Sequence, residues 1–198
     1  NMDGCLSDVE LTAVNVNSCG ATVGYLRKNC TAEFANCYAT IESWHLDAVR
    51  ADASFTGNVI RFTEKMLSGY GGYQWTSLDF DKYWSVTTDS TPILQTFADE
   101  VPSLEGVAKA YDISWYDKYT DEFVLDTKEK FYGLFILPYT QAVTFRGQTI
   151  KLACDVTMNT GKASKWDTEV PDYNWIPIGS WATKFEGNFD GQGHTISG

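Results

Sequence analysis

The stretch Phe185-Glu186-Gly187-Asn188-Phe189-Asp190-Gly191-Gln192-Gly193-His194-Thr195-Ile196-Ser197 constrains the fold more than any other part of the chain. The large apolar residues Phe185, Phe189 and Ile196 are separated by Gly187, Gly191 and Gly193 and by the turn-formers Asn188, Asp190 and Gln192. Short apolar strands joined by tight turns fit this spacing, because glycine takes positive φ without steric cost. A hairpin shows the pattern once, whereas a solenoid of stacked coils shows it at every corner. Residues 1–45 have a related texture. Val9, Leu11, Ala13, Val14 and Val16 come first, then residues 21–26, then residues 34–41, with turns at Asn17-Ser18, Gly20, Gly24 and Asn29. Such regular spacing suits stacked coils, and it also suits a sandwich.

The wording of these segments tips that choice. Trp175-Ile176-Pro177-Ile178-Gly179 followed by residues 185–198 resembles the opening coils of bacterial surface proteins that carry GLUG-type repeats. Residues 145–159, Phe-Arg-Gly-Gln-Thr-Ile-Lys-Leu-Ala-Cys-Asp-Val-Thr-Met-Asn, resemble the strand that precedes this motif. Near the start, Ala21-Thr22-Val23-Gly24-Tyr25-Leu26 and then Asn36-Cys37-Tyr38-Ala39-Thr40 resemble the interior repeat. Residues 78–94, with Trp84 and Pro92-Ile93-Leu94, resemble the closing segment of an array. The resemblance implies a right-handed parallel β-helix, and it implies architecture better than activity. Trp84 and Trp175 are implied to be structural.

Three regions follow along the chain. Residues 1–45 read as inner coils, residues 46–126 as a closing segment and a polar, acidic connector, and residues 127–198 as a capping helix with opening coils. In the middle region, residues 62–67 fit a short helix stopped by Ser68-Gly69. Residues 70–75 read as a glycine and aromatic loop, and residues 111–116 as an extended piece. Residues 127–141 read as one helix, with Thr127 as N-cap, Phe131, Leu134, Phe135 and Leu137 on its apolar face, and Pro138 ending or kinking it. A solenoid end exposes its core and unpaired strand edges, so something must cover them; the resemblance implies that this helix does, and the alternative is an ordinary helix packed on a sheet. The order is inverted, however, because inner coils precede the cap. Either the chain is a piece spanning two arrays, or residues 1–45 stack on residues 185–198, within the molecule or between neighbours. Stacking is the favoured expectation; between neighbours it implies head-to-tail self-association through open coil ends.

At 198 residues the chain can bury a core for one or two domains. Its net charge of −11 argues against nucleic acid and anionic membrane surfaces as partners, since both need a basic face. No run approaches the roughly 20 apolar residues that span a bilayer, so membrane insertion is not expected. No basic n-region with an apolar h-region stands at the start, so a secreted form would have its signal already removed. Five cysteines (Cys5, Cys19, Cys30, Cys37 and Cys154) leave at least one unpaired within the chain. Their spacing does not fit zinc. Cys37 and Cys154 are expected to point inward as small hydrophobes, with a disulfide the alternative for Cys5 or Cys30.

Chemistry-bearing constellations are few. The only two histidines are His45 and His194, and His194 sits in a turn where structural hydrogen bonds are expected. There is no nucleophile elbow, zinc-protease motif, phosphate loop or dinucleotide fingerprint. No cofactor, metal or catalytic residue is assigned. The best enzyme lead is paired carboxylates of the kind glycosidases need: Asp79 and Asp81, placed i, i+2 on one strand face, and the group Asp117, Asp121 and Glu122. The best binding lead is the aromatic content of 15%. Rings cluster at Tyr70, Tyr73, Trp75, Tyr83 and Trp84, at Trp115, Tyr116 and Tyr119, and at Trp166, Tyr173, Trp175 and Trp181. Exposed rings stack on sugars and anchor protein contacts. Tyr70, Tyr73, Trp115 and Tyr116 are the candidate ligand-binding residues.

These readings converge on a mainly β protein: a parallel β-helix with a short capping helix and a mixed α+β connecting segment. The expected role is a non-catalytic extracellular module of a bacterial surface protein, acting in adhesion or as a display spacer. Its partner would be a glycan or protein on a host or neighbouring cell. The alternative is a carbohydrate-active or glycan-binding domain, of the polysaccharide lyase or hydrolase kind.

Overall fold

A strand covered on both faces needs small or apolar residues at successive positions, and Cys37-Tyr38-Ala39-Thr40 supplies them: all four are buried. The computed structural model describes residues 2–7, 23–26, 31–40, 49–51, 54–165, 173–180 and 183–198. The chain forms two units, Asn1–Ala108 and Lys109–Gly198.

In the first unit, β1 (Met2–Asp3), β2 (Leu6–Ser7), β3 (Val23–Leu26), β4 (Thr31–Thr40), β5 (Val49–Ala51) and β6 (Ser54–Phe62) all pair in parallel. The long strand β4 is central, with β1 and β2 in line along one side and β6 along the other. Thr63 caps α1 (Glu64–Leu67) by accepting a 3.1 Å hydrogen bond from the Met66 amide. Then come α2 (Gly71–Trp75) and an antiparallel pair, β7 (Trp84–Ser85) with β8 (Ile93–Leu94). The core runs from the sheet into these helices: the ring of Phe62 lies 6.0 Å from that of Tyr38 and 5.8 Å from that of Trp75. Gln95 fastens the antiparallel pair, its side-chain amide donating to the carbonyls of Phe80 (2.8 Å) and Trp84 (3.1 Å).

In the second unit, β9 (Glu122–Leu125) leads through α3 (Lys128–Thr140) to β10 (Thr149–Leu152), which pairs with β9 in parallel. The strand–helix–strand unit is the usual means of joining parallel neighbours. Next come β11 (Val156–Thr157), β12 (Asn188–Asp190) and β13 (Ile196–Ser197). Strand β12 adds to the free side of β10, and β13 pairs with β11, both in parallel. Side chains alternate as a half-covered sheet demands: Phe123, Leu125, Ile150 and Leu152 are buried, while Glu122 and Val124 are exposed. Thr127 caps α3 as its sequence suggests, accepting from the Lys130 amide at 3.2 Å. The helix continues past Pro138 to Thr140, and every residue from Phe131 to Pro138 is buried, so it is enclosed rather than laid on a surface by one stripe. Segment 110–116 crosses it at Gly133. A Cβ there would stand 2.0 Å from the Asp112 carbonyl oxygen, so only glycine permits the crossing. The Asp112 amide in turn donates to the Glu129 carbonyl at 2.8 Å.

The expected right-handed parallel β-helix is not what these elements make. The described strands lie in five small sheets, none more than three strands across, with three helices among them and no continuous solenoid or closed sheet. The physical reason is the unequal connections. Thr149 pairs with Glu122 on one side, reached through the long helix α3, and with Asn188 on the other, reached through a longer connection. A solenoid stacks similar structural repeats, each on its neighbours, and these two connections differ in both length and content. Two local expectations also need correction. Residues 71–75 are helical rather than loop, because Gly71 and Gly72 let that turn close onto the Met66 carbonyl and Pro92, where any Cβ would lie within 2.2 Å. Asp79 and Asp81 are not on a strand, since residues 80–83 form a turn that the Asp79 carboxylate caps from the Lys82 amide at 3.0 Å.

Candidate functional site

The sequence-derived candidates fall into two settings, one in each unit. In the first unit Tyr70 follows the Gly69 turn and is 46% exposed. Tyr73, within α2, is half-buried and meets Phe80 edge-on at 5.7 Å, so part of its ring serves packing.

In the second unit Trp115 and Tyr116 belong to a built aromatic cluster. Trp115 lies parallel to Phe145 at 6.3 Å and edge-on to Phe123 at 5.1 Å, and its indole N–H donates to the Asp112 carbonyl at 2.9 Å. Tyr116 lies 5.6 Å from Phe123 and 5.7 Å from Phe145. Phe185 extends the cluster, 5.8 Å from Phe145. Burial, and then the neighbouring Asp117 carboxylate, push the Tyr116 hydroxyl above its ordinary value. Both candidates are half-buried, with much of their ring surface turned to other rings.

The adjoining turn carries the most exposed large hydrophobic side chain among the described residues, Tyr119, at 82%. Its position is held from three directions. The Asp117 carboxylate accepts from the Tyr119 amide at 2.9 Å, the Asp117 carbonyl accepts from the Thr120 amide at 3.1 Å, and the Gln148 side-chain amide donates to the Thr120 carbonyl at 2.8 Å. Gln148 is itself buried and positioned by β10. The Lys118 ammonium lies 4.7 Å from the ring centroid, a cation–π contact that covers one face. The sequence grouped Tyr119 with Trp115 and Tyr116 but did not single it out. The readable signal was its polar setting, Lys118-Tyr119-Thr120-Asp121, which offers the ring no apolar neighbour to hide against.

Other chemistry-bearing residues are engaged in structure. Glu122 pairs with Lys151 at 2.7 Å across neighbouring strands. His194 Nδ1 lies 3.2 Å from Asp155, whose same oxygen accepts from the Thr195 amide at 2.8 Å. That backbone bond first, and then His194, hold the Asp155 carboxyl below its ordinary value. Arg146 grips Glu186 through two bonds, Nε at 3.0 Å and Nη2 at 2.7 Å. Trp175, half-exposed, packs on Phe135 at 4.9 Å. Cys37 is buried, Cys5 and Cys154 are partly buried, and all three are thiols. His45, Cys19, Cys30, Trp166 and Trp181 lie outside the described residues. Among the described residues, no three His, Cys, Asp or Glu side chains come together to hold a metal, and no helix is long and apolar enough to cross a membrane.

No family model, curated protein or solved structure matches the chain.

Proposed function

We propose that the chain is a non-catalytic recognition module of an extracellular bacterial surface protein, acting in adhesion through aromatic side chains held on its loops. The observation that carries this reading is Tyr119, a ring 82% exposed on a turn clamped by Asp117 and Gln148. An aromatic ring in water gains nothing for the fold. A ring carried on a turn whose backbone is already held has only its side-chain freedom to lose when a partner stacks on it. Tyr70 on the other unit offers a second exposed ring. The partner fits the chemistry of a glycan or protein on a host or neighbouring cell: flat apolar faces for the rings, and polar groups for Lys118 and the acidic residues around it. Affiliation with GLUG-repeat surface proteins rests on the sequence segments alone and belongs to the same proposal.

The test is retention of the full chain on immobilised host and plant polysaccharides, with eluates checked for cleaved sugar. Retention without cleavage, weakened about tenfold or more by Tyr119→Ala, supports the reading, since that is the size of an aromatic anchor. Cleavage of any polysaccharide overturns the non-catalytic assignment. Retention that Tyr119→Ala and Tyr70→Ala leave unchanged removes both rings from the role.

A further inference from the structure

Cys5, in the short break between β1 and β2, and Cys37, on β4, lie at the same level. Asp3 pairs with Ala35 just before them and Leu6 with Tyr38 just after, at a constant offset that sets Cys5 opposite Cys37. Backbone bonds clamp the strands on both sides of the pair: Gly4 N–H to the Ala35 carbonyl at 3.2 Å, and Tyr38 N–H to the Cys5 carbonyl at 2.8 Å. Gly4 (φ 62°) and Asn36 (φ 48°) stand opposite each other and bend both strands together, so the two cysteines leave the bend side by side. The Cys37 thiol donates to the Ala35 carbonyl at 3.2 Å, the same carbonyl that accepts from the Gly4 amide next to Cys5. Neighbouring strands run about 4.8 Å apart. A disulfide spans Cα separations of about 4.4–6.8 Å. The backbone therefore needs no large movement to bridge them.

We propose that Cys5 and Cys37 are an oxidation site at which a disulfide staples the β1–β2 edge to the central strand β4. The oxidant is a disulfide, either a small-molecule one such as glutathione disulfide or that of an oxidoreductase. The two thiols have distinct parts. Cys5 is partly exposed and its thiolate attacks the oxidant, expelling one thiolate and leaving a mixed disulfide on Cys5. Cys37 is 1% exposed and out of an oxidant's reach. Burial first among its causes pushes its thiol up to about 11, so it stays protonated until the mixed disulfide sits beside it. Cys37 then gives up its proton and attacks the Cys5 sulfur, and the second thiolate leaves. Two protein thiols become one disulfide, and the oxidant is reduced to two thiols. In an oxidising compartment the bridge persists, and in a reducing one the pair stays a packed thiol contact.

The test uses the full chain, reduced and desalted, then incubated with glutathione disulfide with and without denaturant. Remaining thiols are alkylated and bridged peptides mapped by mass spectrometry. The expected result is that the Cys5–Cys37 peptide exceeds every other bridge by about tenfold in the folded chain, because the fold supplies the effective concentration. In denaturant it should be one bridge among many. Cys5→Ser should leave Cys37 unmodified until the chain is unfolded. Recovery of Cys5 as a stable glutathione adduct with Cys37 still a thiol would overturn the proposal. So would a dominant bridge from Cys5 to Cys19 or Cys30.

Discussion

The two units use the same pairing and close it differently. In the first, β4 is flanked by parallel neighbours on both sides, and the far end is closed by two short helices and an antiparallel strand pair. In the second, β10 is likewise flanked on both sides, but one thirteen-residue helix, α3, supplies the interior. A parallel ladder satisfies its own backbone but never its faces. What distinguishes the units is how apolar area reaches those faces. The first brings side chains from many short pieces, Tyr38, Phe62, Met66, Leu67, Trp75 and Phe80. The second concentrates them on one helix, with Phe131, Leu134, Phe135, Ile136 and Leu137 all within 1% of full burial. A core resting on one helix is expected to be the more sensitive to a single change.

The largest predicted effect tests that contrast. Phe135 lies 4.8 Å from Phe131 and 4.9 Å from Trp175, and is 1% exposed. Phe135→Ala should cost about 3–5 kcal/mol in the second unit, by lost burial and a residual cavity. Denaturant unfolding followed by tryptophan fluorescence should then show that transition moving to lower midpoint. A single unshifted transition would break the comparison. Gly133→Ala sharpens it by sign. Helix propensity favours alanine by about 1 kcal/mol. The clash with Asp112, whose carbonyl oxygen would lie 2.0 Å from the new Cβ, opposes it. Displacing backbone that is itself bonded to Glu129 should outweigh propensity, for a net loss of about 1–3 kcal/mol. A stabilised variant would mean that the crossing of segment 110–116 is not tight.

How far these features were legible in the sequence depends on whether their cause is local. The caps were: Thr127 before an apolar run defines α3, and Ser68-Gly69 stops α1 where expected. Short parallel strands at Thr149–Leu152 and Asn188–Asp190 also follow from apolar residues punctuated by glycine. Whether such strands join into coils was not legible, because it depends on the lengths of distant connections. The helix at Gly71–Trp75 is not legible locally, since two adjacent glycines argue against it, while their use is a tertiary approach to Met66 and Pro92. At the candidate site, Tyr70 was read as exposed and is. Trp115 and Tyr116 stand in polar sequence, yet Phe123, Phe145 and Phe185 reach them from elsewhere in the chain. Polar neighbours in sequence do not predict polar neighbours in space, and Tyr119 is the residue of that group for which the two agree.

Smaller effects compare the units at their helix starts. Thr63 and Thr127 make the same cap, but Thr63 is buried and Thr127 exposed. Thr127→Ala should cost about 1 kcal/mol, the usual value for a solvated cap. Thr63→Ala should cost up to about 2 kcal/mol, because the Met66 amide it leaves has poorer access to water. Equal losses in thermal unfolding would mean that burial does not matter at these caps.

The smallest effect is electrostatic and belongs to the second unit. Asp112 is held below its ordinary value chiefly by bonds from Ser114, Asp155 by the Thr195 amide and His194, and Glu186 by Arg146. A carboxylate depressed in the fold contributes stability that is complete above its unfolded value and is lost as pH falls through the folded one. The second unit should therefore weaken as pH drops below the ordinary aspartate value of 3.8. Asp155→Asn should make that acid limb shallower while leaving the first unit's transition where it was. Because Asp155 and His194 tie β11 to the turn before β13, the variant should also raise amide exchange at Thr195 at neutral pH. An acid limb unchanged by Asp155→Asn would place the pH sensitivity on the Asp112 and Glu186 contacts instead, which Ser114→Ala and Arg146→Gln would then separate.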